Sequence, residues 1–541
     1  MSDATAATRP GAPPLDPDAA RRRATAAGVL ATAAALVVTE AVGLLAPTRP
    51  SLVLAVETWF LDTFAGSLKD LAVALFGTQD KTALAVGTVL VALLVGAGMG
   101  RLERRRPGAG VVGIATFGVL GVLATWRTPQ GSVPLALLAA ALGVSAGAAV
   151  LLLLLDRFGV RPAPWAAGWA GVADPFAPET AGAGLGLVTA TRRDVLVWGA
   201  GTGAAIVAAG AVGQEVRSTL RASAAALPER LPAAVAAEAV PTDTLALDGL
   251  TPYIVPNVDF YRIDTALQTP VVDTGSWTLR VTGLVDRELE LSYADLLARD
   301  LVEEVVTLSC VSNEVGGDLV GNARWRGIPL RDLLAEAGVA PEAAQVVGES
   351  VDGFTAGFPL AALDDPDRAA LLAVGMNGAP LPRAHGFPAR LVVSGLYGYV
   401  SATKWLREVR LTTLDEDGYW IDRGWAKDGP VKTQCRIDVP RRNSDLRAGP
   451  VPVAGVAWAP SRGIDRVEVR IDDGPWQEAE LGPVTSDDTW VQWVLRWDAP
   501  AGDHTIEARA TDGTGATQPE ERTDVLPDGA TGWPRRLVRV D

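Results

Sequence analysis

The strongest constraint in this chain of 541 residues is a set of long apolar runs confined to its first 213 residues. Ala27–Ala46, Thr82–Gly100, Gly110–Trp126, Val133–Leu155 and Val195–Val212 are built mainly from Ala, Leu, Val and Gly. A helix of about 20 such residues crosses a hydrocarbon core of about 30 Å. Lipid offers no partner to a backbone polar group, so runs of this kind read as spanning helices that satisfy their own N–H and C=O groups. Residues 51–76 are apolar too, but carry Glu57, Asp62, Lys69 and Asp70. These charges favour an amphipathic helix at the outer surface over a sixth span.

Arginines set the expected orientation. Arg21–Arg23, the run Arg101-Leu-Glu-Arg-Arg-Arg106, and the loop with Arg157, Arg161, Arg192 and Arg193 fall on one side of five spans. Basic short loops face the cytoplasm, which places everything after Gly213 outside it. Thr191-Arg192-Arg193-Asp194-Val195-Leu196 resembles a twin-arginine export signal; an ordinary basic anchor is the alternative. No span contains a histidine, which argues against a bis-histidine haem in the membrane part. Charges inside the spans are few, which leaves little for an ion pathway.

The sequence divides into a membrane part and soluble parts. Residues 1–24 form a cytoplasmic disordered tail, 25–213 the transmembrane domain, and 214–242 an Ala-rich, partly helical linker with Pro228, Pro232 and Pro241. Over 243–412 short strand-like runs (Trp277–Thr282, Val305–Leu308) alternate with short amphipathic helices (Tyr293–Ala298, Leu330–Ala337), the pattern of an α+β domain. Over 413–541 the signal is all-β, with regular strands from Val451 and turns at Asp472-Asp-Gly474 and Asp512-Gly513. That regularity predicts an immunoglobulin-like sandwich, with Trp458, Trp476, Trp490, Trp493 and Trp497 as packing residues. The net charge of −15 excludes a basic nucleic-acid surface. Two cysteines, Cys310 and Cys435, and two histidines, His385 and His504, are too few for an iron–sulfur cluster or a disulfide framework. Cys435 and His504 read as structural. Cys310 ends a strand-like run, where a buried cysteine is most often a small hydrophobe; a lone thiolate there would also suit a soft metal centre that brings its other ligands with it.

The motifs around Cys310 carry a resemblance. Thr307-Leu-Ser-Cys310-Val-Ser-Asn313, then Gly321-Asn-Ala-Arg-Trp325-Arg-Gly327-Ile-Pro-Leu330, resembles the sulfite oxidase family of molybdopterin enzymes. Met376-Asn-Gly-Ala-Pro-Leu-Pro-Arg-Ala-His385-Gly386-Phe-Pro-Ala-Arg390 and Ala402-Thr403-Lys404-Trp405-Leu406 resemble its later motifs in the same order. The resemblance covers about residues 243–541 and leaves the membrane part unmatched. It implies a molybdenum–molybdopterin cofactor with Cys310 as the protein ligand to the metal, and Arg262 facing the substrate. It also implies cofactor contacts from Asn257, the segment Phe260-Tyr261-Arg262-Ile263-Asp264, Asp352, His385, Arg390, Ala402, Thr403 and Lys404. Asn257 is matched to the related periplasmic methionine sulfoxide reductase. The C-terminal sandwich would be a dimerisation domain.

Two features depart from the family pattern. Glu314 follows Asn313 where basic residues are expected, and a carboxylate disfavours a dianionic substrate. The family's tyrosine-bearing segment corresponds to Trp420–Lys427, which has no tyrosine at the matching place. The resulting expectation is a multi-pass membrane oxidoreductase with its catalytic domain outside the cytoplasm. It would act on a small molecule, sulfite or a related sulfur compound by default. The alternatives are a reductase of S-oxides or N-oxides, and a non-catalytic receptor or scaffold. With neither haem nor iron–sulfur cluster expected in the chain, electrons need a separate partner, a cytochrome or a quinone-linked membrane protein. A homodimer is possible through the sandwich.

Overall fold

The computed structural model describes residues 16–60, 63, 80–160, 192–224, 230–442 and 444–541. The chain divides into two compact units, Met1–Ala224 and Ala225–Asp541.

The first unit is helical: α1 (Pro17–Gly43), α2 (Asp80–Arg105), α3 (Ala109–Arg127), α4 (Val133–Arg157) and α5 (Arg192–Ala224). All five contain stretches long and apolar enough to cross a membrane. α1 begins at Pro17 rather than at residue 25, so part of the expected tail is helical. Asp16 caps it by accepting from the Asp18 N–H, and Pro17 opens the helix where a missing N–H costs nothing. α1 and α2 touch backbone to backbone: a Cβ on Gly28 would meet Gly96 O at 2.1 Å, and one on Gly100 would meet Ala24 O at 2.0 Å. Small residues permit that approach, the usual basis of packing between helices in lipid. Residues 52–60 are helical, whereas most of the stretch from 61 to 76 lies outside the described residues. α5 extends past Val212 into the first half of the expected linker, and Arg192 and Arg193 stand at its start.

The second unit is built on four sheets. In chain order its strands are β1 (Ala236–Ala237), β2 (Thr278–Gly283), β3 (Leu289–Ser292), β4 (Val302–Ser309), β5 (Val320–Pro329), β6 (Gln345–Ser350), β7 (Thr355–Pro359), β8 (Ala370–Met376), β9 (Ala379–Pro380), β10 (Arg390–Val393) and β11 (Leu406–Thr412). Short helices α6 (Tyr293–Leu297), α7 (Leu330–Ala337) and α8 (Gly398–Ser401) lie between them. One sheet runs β1-β4-β5-β8-β10, with β9 paired to β8, and a second runs β3-β2-β11-β6-β7. α6 starts with a reciprocal cap in which Ser292 and Asp295 satisfy each other's backbone N–H groups. α7 ends at Gly338, whose φ of +72° only glycine adopts without cost.

The C-terminal part holds β12 (Gln434–Val439), β13 (Asp445–Leu446), β14 (Gly449–Trp458), β15 (Ile464–Ile471), β16 (Gln477–Glu478), β17 (Glu480–Leu481), β18 (Val491–Ala499), β19 (Gly502–Asp512) and β20 (Arg535–Val540). They form two sheets, β12-β14-β18-β17 and β13-β20-β19-β15-β16. Cys435, Val453 and Trp493 from the first share a core with Val467, Ile506 and Ala508 from the second. Alternating inward side chains on both sheets produce that arrangement. This part is also fastened to the sheet that carries Cys310. Trp458 and Trp490 are fully buried in the larger core, and Thr307 N–H donates to Asp488 O at 3.0 Å.

Candidate functional site

β4 leads directly to Cys310. Its last five residues are all buried, as befits a central strand covered on both faces, and β5 pairs with it from Val302↔Gly327 to Ser309↔Val320. The chain then turns. Cys310 N–H donates to Leu319 O at 2.9 Å, and Asn313 N–H donates back to Cys310 O at 3.1 Å. Asn313 is buried and its Oδ1 accepts from Leu319 N–H at 2.9 Å. A Cβ on Gly317 would stand 2.5 Å from that Oδ1, so the turn closes only over glycine. Asn313 Nδ2 is buried with no hydrogen-bond partner among the described residues. A buried donor left unmatched is costly, and this one lies in the turn that Cys310 opens, where an acceptor from outside the chain would satisfy it.

The second motif packs against this turn. Phe260 stacks on Tyr261 at 5.2 Å between ring centroids and meets Trp325 and His385 edge to face at 5.8 and 5.6 Å. A Cβ on Gly398 would lie 3.9 Å from Ser309 O and 4.0 Å from Tyr261 Oη, which puts α8 and Tyr261 beside the end of β4. Burial holds the Tyr261 phenol well above its ordinary value, the neighbouring Cys310 sulfur adds to this, and Arg390 opposes it.

Three cations and one imidazole make up the polar part. Arg390 is buried and donates to His385 O at 3.1 Å and to Ala402 O at 3.4 Å; its guanidinium carbon lies 4.9 Å from the Trp325 ring centroid. Burial lowers its pKa to about 10. His385 Nε2 lies 2.9 Å from Asn257 O. A carbonyl only accepts, so Nε2 carries the proton and Nδ1 is left as an acceptor. Burial, with help from Arg390, Lys404 and Arg262, brings the imidazole down to about 4, so it is neutral near pH 7. Lys404 donates to Asp264 Oδ2 at 3.0 Å, and Arg262 Nε donates to the same oxygen at 2.9 Å. Burial moves Lys404 down to about 8, opposed by Asp264 and assisted by Arg390 and Arg262. Asp352 lies close enough to Asp264 and Lys404 to feel both charges, and burial raises its carboxyl.

Other expected residues take different places. Ile263 is 48% exposed and its side chain adds no polar group. Asn257 has its amide engaged within the chain: Nδ2 donates to Met376 O at 3.4 Å and Oδ1 accepts from Asn377 at 2.8 Å. Thr403 is buried and donates to Gly348 O at 3.3 Å, while Ala402 contributes its carbonyl to Arg390. Phe260 acts by packing. Cys435 donates to Gln518 Oε1 at 3.2 Å inside the C-terminal core, and His504 pairs with Asp472 at 2.9 Å on the surface.

Two contributors escaped the sequence reading. Asn377 adopts φ +51° and ties Arg324 N–H and the Val255 and Asn257 oxygens together. The Asn-Gly dipeptide was its signal, since Asn tolerates that conformation. Tyr399 in α8 donates to Ala426 O and packs on Trp425 at 5.9 Å. A phenol therefore reaches the segment that lacks the family's tyrosine, and no local pattern announces it.

The family model of the oxidoreductase molybdopterin binding domain matches residues 266–420. The mitochondrial sulfite oxidase of Homo sapiens is 32% identical over 316 residues, 50% of this chain and 58% of that protein. Sulfite oxidase of Gallus gallus is 31% identical over 319 residues, 50% of this chain and 68% of that one. An uncharacterized oxidoreductase of Bacillus subtilis, YuiH, is 36% identical over 157 residues, 29% of this chain and 76% of the other. The chain thus spans somewhat over half the length of the mitochondrial enzymes it matches. The matched domain coincides with the sheets that position Cys310, His385, Arg390 and Lys404, and the chain belongs to the sulfite oxidase family of molybdopterin-binding oxidoreductases.

Proposed function

We propose that the protein is a membrane-anchored, molybdopterin-dependent oxidoreductase whose soluble domain works outside the cytoplasm. The observation that carries this reading is the grouping near Cys310 of a buried unmatched amide and a buried phenol, with the buried Arg390 acting on that phenol. These groups fit a cofactor that brings its own sulfurs and asks the chain for one thiolate. Bound molybdenum–molybdopterin supplies two-electron oxygen-atom transfer.

The chain's residues divide the remaining work. Cys310 would provide the thiolate ligand. Arg390 and Lys404 offer fixed positive charge to a phosphate or an anionic edge. His385, protonated on Nε2, presents an acceptor at Nδ1, which suits an N–H of the pterin edge better than a phosphate oxygen. Asn313 Nδ2 offers one donor beside the thiolate. Arg262 is more exposed than the others, with 42% of its side chain accessible, and would orient an anionic substrate. Asp264 spreads its charge over Lys404 and Arg262 and limits how positive the site becomes.

Sulfite or a related sulfur compound is the default substrate. The second reading is reduction of an S-oxide or N-oxide. Glu314 supports it, being exposed and adjacent to Asn313, where its carboxylate opposes the approach of a dianion. Either direction needs a separate electron partner, a cytochrome or a quinone-linked protein. The C-terminal two-sheet domain is the proposed site of homodimerisation.

Purified full-length protein should contain about one molybdenum and one pterin per chain. Cys310→Ser should lose metal and activity while keeping its thermal midpoint. A Cys310→Ser variant with full activity would overturn the reading. Sulfite with an electron acceptor, assayed beside a sulfoxide with a reduced dye, decides the direction.

A further inference from the structure

The linker that enters the soluble unit does not hang free. Leu231 seats over Gly375, where an added Cβ would come within 2.3 Å of it, and Arg326 Nη1 donates to Pro232 O at 2.9 Å. Val235 N–H donates to Leu301 O at 2.8 Å, Glu238 N–H to Glu303 O at 2.9 Å, and β1 lies parallel to β4 with Ala236↔Val302 and Ala237↔Glu303 in register. The Glu238 carboxylate then accepts from Val305 N–H at 2.6 Å. The linker is therefore an edge strand of the sheet that ends in Cys310, held by few backbone bonds.

Acidic groups collect where it docks. Glu304 of β4 has Oε2 buried without a partner, and so does Asp488 at Oδ1. Asp488 accepts from Ala369 N–H at 2.8 Å through its other oxygen. The Ser486 hydroxyl supports the Glu238 carboxylate and the Ser394 hydroxyl that of Asp488, while Arg368 Nε is buried and unmatched. The charges that act on Glu304 are Glu238 from the linker, Asp488 from the loop before β18 and Arg331 from α7. Around Asp488 stand Arg368 and Asp365. Arg331 Nε is committed to Leu363 O at 2.7 Å, and its Nη2 donates to the Asp365 and Arg368 carbonyls.

We propose that the Glu238–Glu304–Asp488 cluster is a proton-dependent latch that fastens the membrane-proximal linker to the catalytic strand and releases it as the pH rises. Crowding of three carboxylates is tolerable while Glu304 keeps its proton. Once Glu304 ionises, it repels Glu238 and Asp488, and the cheapest relief is to undock the two-residue edge strand. Burial, then Glu238 and Asp488, raises Glu304 from 4.5 to about 7. A carboxyl raised in the docked form binds more protons there than in the released form. Attachment therefore weakens from about pH 5 to about pH 7 and levels off above that window. Release frees residues 231–238 from β4 without touching Cys310, His385, Arg390 or Lys404.

Amide hydrogen exchange on the full chain in detergent tests this without reference to turnover or metal content. Protection at Val235 and Glu238 should fall by about tenfold or more between about pH 5.5 and 8, after correction for intrinsic exchange, while β2 amides keep theirs. Glu304→Gln removes the ionisation at nearly constant shape and should hold protection level across that range. If that variant does not fold, Glu238→Gln keeps the acceptor for Val305 and should shrink the fall. A linker whose protection ignores pH in the unmodified chain, or a fall unchanged in a folded variant, overturns the latch.

Discussion

Lys404 and Asp264 form a buried ion pair, Nζ to Oδ2 at 3.0 Å, between segments 140 residues apart in the chain. Asp264 is 3% exposed at its side chain and also holds Arg262, so a single carboxylate balances two cations at the candidate cofactor site. Asp264→Asn leaves the Lys404 ammonium buried without its counter-charge. Breaking a buried pair in this way costs about 3–5 kcal/mol. A clearly lowered thermal midpoint of the full chain in detergent is expected, with weaker retention of pterin.

The same pair predicts a pH dependence. The folded lysine is held near 8 against an ordinary value of 10.5, so between those limits the unfolded chain binds more protons than the folded one. Stability then rises with pH across that window. Thermal midpoints between about pH 7.5 and 10.5 should show this rise, and Lys404→Met should flatten it. A midpoint that falls equally in both proteins would contradict the burial of the charge.

Gly317→Ala places a methyl 2.5 Å from Asn313 Oδ1 in the turn that carries Cys310. The turn has to open, and Asn313 loses its bond to Leu319. Molybdenum per chain should fall severalfold while the circular dichroism of the folded chain stays unchanged. Full metal occupancy would show that the turn does not position the thiolate.

Trp325 lies beneath Arg390 and donates its indole N–H to Val306 O at 3.2 Å from a fully buried position. Trp325→Phe keeps an aromatic face for the guanidinium but loses the donor and some volume. Trp325→Ala empties the place and should cost about 3–5 kcal/mol. Denaturant midpoints should order as native, Phe, then Ala.

Arg192 and Arg193 begin α5, and the proposed export route assigns them the role of a twin-arginine signal, with an ordinary topology signal as the alternative. Replacing both with lysine keeps the charge and removes the arginine pair. If the twin-arginine route carries the folded domain, the double variant should leave it accessible only from the cytoplasmic side in protease-protection assays. Unchanged external digestion would reduce the pair to positive-inside anchoring.

Much of the architecture is written locally. The five apolar runs reappear within α1–α5, because helix propensity and apolar composition act on neighbours in sequence. Gly338 ends α7, and Val305–Leu308 lies inside β4, for equally local reasons. The ends moved where capping or helix propensity continued a pattern, at Pro17 and through Ala224. The motif order around Cys310, His385, Arg390 and Lys404 was also legible, because each motif is a short run.

Pairing between distant segments was not legible. Sequence alone determined that the chain has long apolar helices, a more polar part with one well-placed cysteine, and too few histidines and cysteines to build a metal centre unaided. Only the tertiary structure decided that Asp264 is the counter-charge of Lys404, that Trp325 underlies Arg390, and that Glu238 reaches Val305 beside Glu304 and Asp488. The physical reason is register. Side-chain periodicity says which face of a strand is buried, but the pairing of β1 with β4 and of β4 with β5 selects which buried groups meet.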